Sequence, residues 1–228
     1  MKFKSLFAVC LAGLAFGANA QTHVEGAEYY KADQLENAKD LLLRSLNNPA
    51  TDKAVSDYYL GQIAIDEGKT QDAANYFNQG VAANPDFAYN YVGQGLIALL
   101  GGDEKGAENL FKEAGKHSKK DAALEIAIAR AYDRVDPAKS EKQIAKQLEK
   151  ARKYDLEAPE IYIFEGDQAK EKKDWGSAAA KYEMAANYDN NATEAYVKYA
   201  NLFTMVNPEY AIKKLSELLS VNPSSALG

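Results

Sequence analysis

The sequence is poor in the residues that most chemistry needs: one cysteine, two histidines and one tryptophan in 228 positions. The cysteine, Cys10, falls inside a leader-like opening, MKFKSLFAVCLAGLAFGANA. Lys2 and Lys4 precede an apolar stretch from Leu6 to Phe16, and Ala18-Asn19-Ala20 closes it with small residues. A spanning helix needs about 20 apolar residues, so this stretch is too short for a lasting anchor. The expectation is a secretory signal over residues 1–20, cut before Gln21. Cys10 sits within the apolar core, behind Phe7-Ala8-Val9, rather than after it, which argues against lipidation. Without the leader the chain keeps no cysteine, which excludes a disulfide, a thiolate metal ligand and a cysteine nucleophile.

Other absences narrow the function further. Lys and Arg number 27 against 33 Asp and Glu, and no long basic run offers a footprint for nucleic acid. Losing Lys2 and Lys4 with the leader takes the net charge from −6 to −8. His23 and His117 stand alone in their segments. There is no H-E-x-x-H, no nucleophile elbow and no Walker loop, so neither a catalytic site nor a cofactor nor a metal is expected. The glycines of LLGGDEKG read as a turn between two helices, since no strand precedes them.

What is present is a period. Gly68, Ala73, Phe77 and Gly80 return as Gly102, Ala107, Phe111 and Ala114, each displaced by 34 residues. Gly61 and Ala64 likewise return as Gly95 and Ala98, and Tyr162, Gly166, Ala169, Trp175, Ala178, Tyr182 and Ala185 repeat the pattern later. Weaker copies begin around Gly26 and Tyr29, Ala129 and Tyr132, and Tyr196 and Ala200. The copy around Ala129 carries extra residues near Asp136-Pro137, which predicts a longer turn there. A small residue at a helix crossing lets two backbones approach toward the lower end of about 8–10 Å, and a ring fills the space beside it. One such hairpin cannot bury its apolar face, whereas a stack can, each unit touching its neighbours. The expected architecture is all-α: a right-handed superhelical solenoid of about six hairpins. Their bounds are about 22–50, 54–87, 88–121, 122–158, 159–192 and 193–225, with 226–228 opening a possible further repeat.

This pattern resembles the tetratricopeptide repeat family, whose signature runs W-x2-L-G-x2-Y, A-x3-F, P. Leu60-Gly61 matches the L-G step; Ala73 with Phe77, Ala107 with Phe111, and Ala178 with Tyr182 match A-x3-F; Pro85 and Pro223 match the closing proline. Asp57 stands where the opening aromatic belongs, and Lys119 and Asn190 replace the proline in other copies. The resemblance implies binding of a peptide or protein in the concave groove lined by the first helices. In the third unit Tyr91, Gly95 and Ala98 form one stripe; Tyr89, Val92, Leu96, Leu99 and Leu100 form a second. The second stripe is either core or, with Tyr58 and Gln62, a greasy binding patch. The candidate groove residues are therefore Tyr58, Gln62, Tyr89, Val92, Leu96 and Leu99. Tyr58, Gln62, Val92 and Leu96 occupy positions where tail-clamping members carry Lys and Asn, so carboxylate clamping is not implied.

Farther along the same surface Arg130, Asp133, Arg134, Asp167, Lys170 and Glu171 place mixed charges, either a solvated face or the seat of a polar ligand. Fifteen tyrosines in an exported chain raise glycan or cell-wall binding as an alternative, although many sit at repeat core positions. A regulatory portion of a longer protein is a further reading, because LLSVNPSSALG stops just after the proline that would launch another helix. Such an uncapped end predicts self-association or a cap supplied in trans. The leading expectation is an exported scaffold or adaptor with a protein partner, no nucleic-acid partner and no stable membrane insertion.

Overall fold

The computed structural model describes residues 22–221. The expected signal over residues 1–20, the closing Pro223 and the possible repeat start at 226–228 lie outside the described residues. Within them the chain forms twelve α-helices and no strand, and no helix is long and apolar enough to cross a membrane. The helices pair as six hairpins: α1 (Thr22–Lys31) with α2 (Leu35–Ser45), α3 (Lys53–Asp66) with α4 (Thr70–Ala83), and α5 (Tyr89–Leu100) with α6 (Glu104–His117). The series continues with α7 (Ala122–Val135) and α8 (Glu141–Tyr154), α9 (Pro159–Glu171) and α10 (Trp175–Tyr188), and α11 (Thr193–Phe203) and α12 (Pro208–Val221). Each odd-numbered helix also packs on the odd-numbered helix of the next hairpin, which builds the solenoid's inner wall.

The crossing inside each hairpin follows from one steric fact. A Cβ placed on Gly61 would lie 2.4 Å from the Phe77 ring, one on Gly95 2.3 Å from Phe111, and one on Gly166 2.5 Å from Tyr182. In the first hairpin Gly26 meets Leu42 in the same way, at 2.6 Å. These contacts are possible because glycine has no side chain to exclude the ring. Ala38, Ala73, Ala107 and Ala178, one turn before those bulky residues, are fully buried. Phe77 also closes on the next hairpin, where a Cβ on Gly93 would lie 2.3 Å from it. One ring thereby locks two successive units.

Turn chemistry repeats with the same register. Gly68 and Gly102 end their hairpin's first helix with φ of +73° and +80°. Asp33 and Lys173 take the corresponding place at φ 59° and 61°. That left-handed conformation costs a residue with a Cβ roughly 1–2 kcal/mol, a strain that the first and fifth hairpins accept and the glycines avoid. The fourth hairpin escapes it. Its connection runs over residues 136–140 instead of the shorter 101–103 of the third, and Asp136 is extended. The extra residues thus lie where the sequence places them. The next helix often starts on an aspartate cap: the Asp52 side chain accepts from the Ala54 and Val55 amides, Asp103 from Gly106, Asp121 from Leu124 and Asp174 from Ser177.

The opening-aromatic position explains one departure from the signature. Tyr91 stacks on His117 with ring centroids 5.1 Å apart, and Tyr162 stacks on Tyr188 at 4.9 Å. Asp57 occupies the same position in the second hairpin, buried, with Oδ1 bonded to nothing. Burial pushes its pKa up to about 6 against the partial opposition of Lys53. A raised carboxyl pKa means that the native state holds a proton the unfolded chain has released, so this group's contribution falls as pH rises from the ordinary value toward about 6. Above that window the charged form bears its full burial cost. Asp57→Asn, which removes the charge but keeps the unbonded Oδ1, is expected to raise the melting temperature at pH 7.5, because the burial cost of the charged form is relieved, about 1.4 kcal/mol for each pKa unit of the rise. The gap between variant and parent should close as pH falls through 6 toward 4; a gap constant with pH would contradict this account.

Candidate functional site

The inner wall is bent into a nearly closed turn. Beyond its own hairpin partner α8, α7 packs more on α5 and α9 than on α6, and the array curls far enough that α1 comes into contact with α11. The inner helices of all six hairpins line a cavity of about 830 Å³ that is partly open to solvent.

One side of this cavity is aromatic. Tyr58 sits edge-on to Tyr59 at 5.1 Å and to Tyr89 at 5.6 Å, Tyr59 meets Tyr30 at 5.5 Å, and Phe87 backs Tyr58 and Tyr89. Offset and edge-on pairs of this kind are favourable because a ring's positive edge meets its neighbour's negative face. Burial raises the pKa of Tyr58 and Tyr89 well above the ordinary phenol value, so both remain protonated. The floor is apolar: Val92, Leu96, Ile126 and Phe164 line it.

The opposite side is charged: Arg130, Arg134, Asp167, Lys198 and Glu194 are in ion pairs, while Lys31, Glu160, Lys170, Glu171 and Lys173 line the cavity without one among the described residues. Arg130 Nη1 donates to Asp167 at 2.8 Å, its Nη2 lies 3.7 Å from Glu194, and its guanidinium rests over the Phe164 ring at 5.5 Å. Asp167 also accepts from Lys198 at 2.9 Å and from the Tyr182 hydroxyl at 2.8 Å. Burial alone would raise the Asp167 pKa, but Arg130 and Lys198 more than offset it and hold it below the carboxylate range. Arg134 spans farther. From the end of α7 it passes over the third hairpin to α3, where Nη1 donates to Gln62 Oε1 at 2.7 Å and Nη2 pairs with Asp66. The Tyr30 hydroxyl donates to the same Asp66 at 3.3 Å, so side chains from three hairpins meet on one carboxylate.

Of the groove residues read from the sequence, Tyr58, Gln62, Tyr89, Val92 and Leu96 line the cavity. Leu99 does not: it is buried in the main core, leaving Leu100 as the exposed member of the stripe. Val92 and Leu96 are both 2% exposed, so that stripe belongs to the core and to the cavity floor at once. Arg130, Asp133, Arg134, Asp167, Lys170 and Glu171, read as a solvated face or a polar seat, line the same cavity as the tyrosines. Sequence reading missed Tyr30, Tyr59, Lys31 and Glu194. Their repeat register marks them as inner-helix residues, but which hairpins face one another across the cavity depends on curvature. Lys31 is exposed yet ringed by protein; its pKa is raised chiefly by Tyr59, against the pull of burial, with Glu194 and Glu160 adding to the rise. No group of three His, Asp or Glu placed to hold a metal occurs among the described residues.

No protein-family profile and no curated protein sequence matches this chain. Solved structures do. TTC0263, a TPR protein of Thermus thermophilus, superposes with a TM-score of 0.52 at 20% identity, over 80% of this chain and 97% of that one. PilF of Pseudomonas aeruginosa gives a TM-score of 0.45 at 15% identity over 90% and 91% of the two chains. YrrB, a TPR protein with an unusual peptide-binding site, gives 0.38 at 13% over 82% and 94%. At these identities the likeness is one of fold and rests on TTC0263. The protein has the tetratricopeptide-repeat fold.

Proposed function

We propose that this protein is an exported scaffold that holds an extended segment of a partner protein inside the turn of its solenoid, in the service of envelope assembly or secretion. The observation that carries this reading is the cavity itself, with its apolar floor and aromatic side. At about 830 Å³ it lies within the usual 300–1,000 Å³ range of ligand sites, so it admits a short stretch of chain but no folded domain. Tyrosines supply large contact area at low entropic cost, which is why such rings dominate the energy of recognition surfaces. The leader-like residues 1–20 support export.

The test is site-specific photo-crosslinking in intact cells, with benzoylphenylalanine in place of Tyr89 in the cavity or of Lys112, a well-exposed residue on α6. A protein adduct formed from position 89 and not from 112 is the expected result. Equal labelling from both, or none from 89, overturns the reading. Retention on insoluble polysaccharide that is lost in folded Tyr58→Ala and Tyr89→Ala variants would favour a glycan ligand instead. For export, the mature protein should begin at Gln21 by N-terminal sequencing; a chain that keeps residues 1–20 would refute it.

A further inference from the structure

The turn of the solenoid is completed where the first hairpin meets the last two, and that seam is light and polar. α1 packs more on α3 than on α11, and among the described residues no cluster of buried apolar side chains joins the first hairpin to the fifth or sixth. Ala38 and Leu42 share a separate cluster with Leu60 and Ile63 of the second hairpin instead. A second cavity, of about 150 Å³, lies in the seam, with Glu28 and Lys31 of α1 opposite Glu160, Asp189, Asn191 and Glu194. Lys31 is the one cation of its described lining. Glu194 already pairs with Arg130 and Lys198, whereas Lys31 and Glu160 stand in no ion pair among the described residues. They are still within reach of one another's field: after Tyr59, and against burial, Glu194 and Glu160 raise the Lys31 pKa.

The join between the first two hairpins also differs from the one that follows it. Phe77 locks the second hairpin to the third because Gly93 admits its ring. The equivalent place in the second hairpin, two residues before the crossing glycine Gly61, is Tyr59, so Leu42 finds no second glycine to close on. The connection is longer as well, residues 46–52 against 84–88 after the second hairpin and 118–121 after the third. Tyr30 with Asp66, Lys39 with Glu67 and Ser45 with Ser56 keep the first hairpin attached to the second. A unit tied on one flank, with a long connection there and little apolar contact on the other, is the part of a packed array that moves at least cost.

Taking the cavity as the binding site of the proposed function, we infer that the first hairpin is a gate: it swings about residues 46–52, opens the seam between α1 and the pair α9 and α11, and admits the partner's segment sideways. A closed turn whose cavity accepts no folded domain could be filled only by threading a free chain end. A turn that opens at its side takes a stretch flanked by folded domains, so the bound stretch is internal to the partner's chain. Lys31 then draws the gate shut toward the carboxylates across the seam, without an ion pair that must be broken for release.

The test exploits the lack of any cysteine beyond Cys10. Glu28→Cys and Asn191→Cys together place one thiol on each side of the second cavity. With spin labels on both, the distance between them should lengthen by several ångströms when Lys31→Glu is added, because every charge of the lining is then negative. With Lys31 intact, NaCl at about 1 M, where the screening length is about 3 Å, should lengthen it too. A distance that neither change moves overturns the gate. A cleavable bis-maleimide joining the same two thiols locks the seam. The probe is a dodecapeptide selected on the unlocked protein from a displayed random library and carried either at a free chain end or between two folded domains. Locking should slow association of the internally carried peptide about tenfold or more, and cleavage of the linker should restore it, while the free-ended peptide still enters. Unchanged association of the internal form after locking overturns this inference and leaves segment binding intact. Failure to select any peptide, together with no adduct from position 89, overturns the proposed function and this inference with it.

Discussion

Arg in place of Ala107 or Ala178 should lower the melting temperature by about 10 °C or more, as followed by circular dichroism. Both alanines are fully buried at the first contact of a hairpin crossing, beside Phe111 and Tyr182 respectively. The variant must either bury an unpaired guanidinium, at about 3–5 kcal/mol, or force the helices apart, at about 1–3 kcal/mol. In a chain of this size each kcal/mol is worth roughly 2–4 °C. Because each unit leans on its neighbours, separation at one crossing also weakens the next interface. Unchanged melting of either variant would refute the packing described above.

Phe77→Ala should be nearly as damaging, at about 3–5 kcal/mol for the lost ring and the void it leaves. The ring fills the space against Gly61 in its own hairpin and Gly93 in the next, so the void would open between two units. A double-mutant cycle with Gly61→Ala isolates the contact. Alone, Gly61→Ala drives a Cβ to within 2.4 Å of the Phe77 ring and should destabilise. In the Phe77→Ala background the same methyl enters the void. The two changes together should cost less than their sum by about 0.5–3 kcal/mol; strict additivity would show that the ring and the glycine do not share that space.

The periodic residues carry both predictions, and they are the part of the molecule legible without coordinates. Gly61, Gly95 and Gly166, with Phe77, Phe111 and Tyr182 at constant separation, announce the hairpin, its crossing and its stacking, because a steric requirement repeated in space must repeat along the chain. The longer turn near Asp136-Pro137 was legible for the same reason. Asp57 could be recognised as a departure from the signature, but its buried, unpartnered oxygen could not, since burial there depends on neighbours that the signature does not specify.

The cavity divides in the same way. That Tyr58, Gln62, Tyr89, Val92 and Leu96 share the inner face follows from helical register and from the resemblance to a repeat family. That Leu99 turns into the core while Tyr30 and Tyr59 join the wall does not follow, because register gives direction around a helix but not what lies opposite. Nor could the sequence show that Arg134 crosses the third hairpin to reach Gln62 and Asp66, or that Arg130, Asp167, Lys198 and Glu194 spend their charges on one another.

Sequence alone therefore determined the unit, its period and the inner face of each helix, since local sterics and nearest-neighbour packing set all three. Tertiary structure alone decided how tightly the units curl. Curvature accumulates from small rotations at every interface, and it is what brings α1 to α11 and sets a tyrosine wall opposite a charged one.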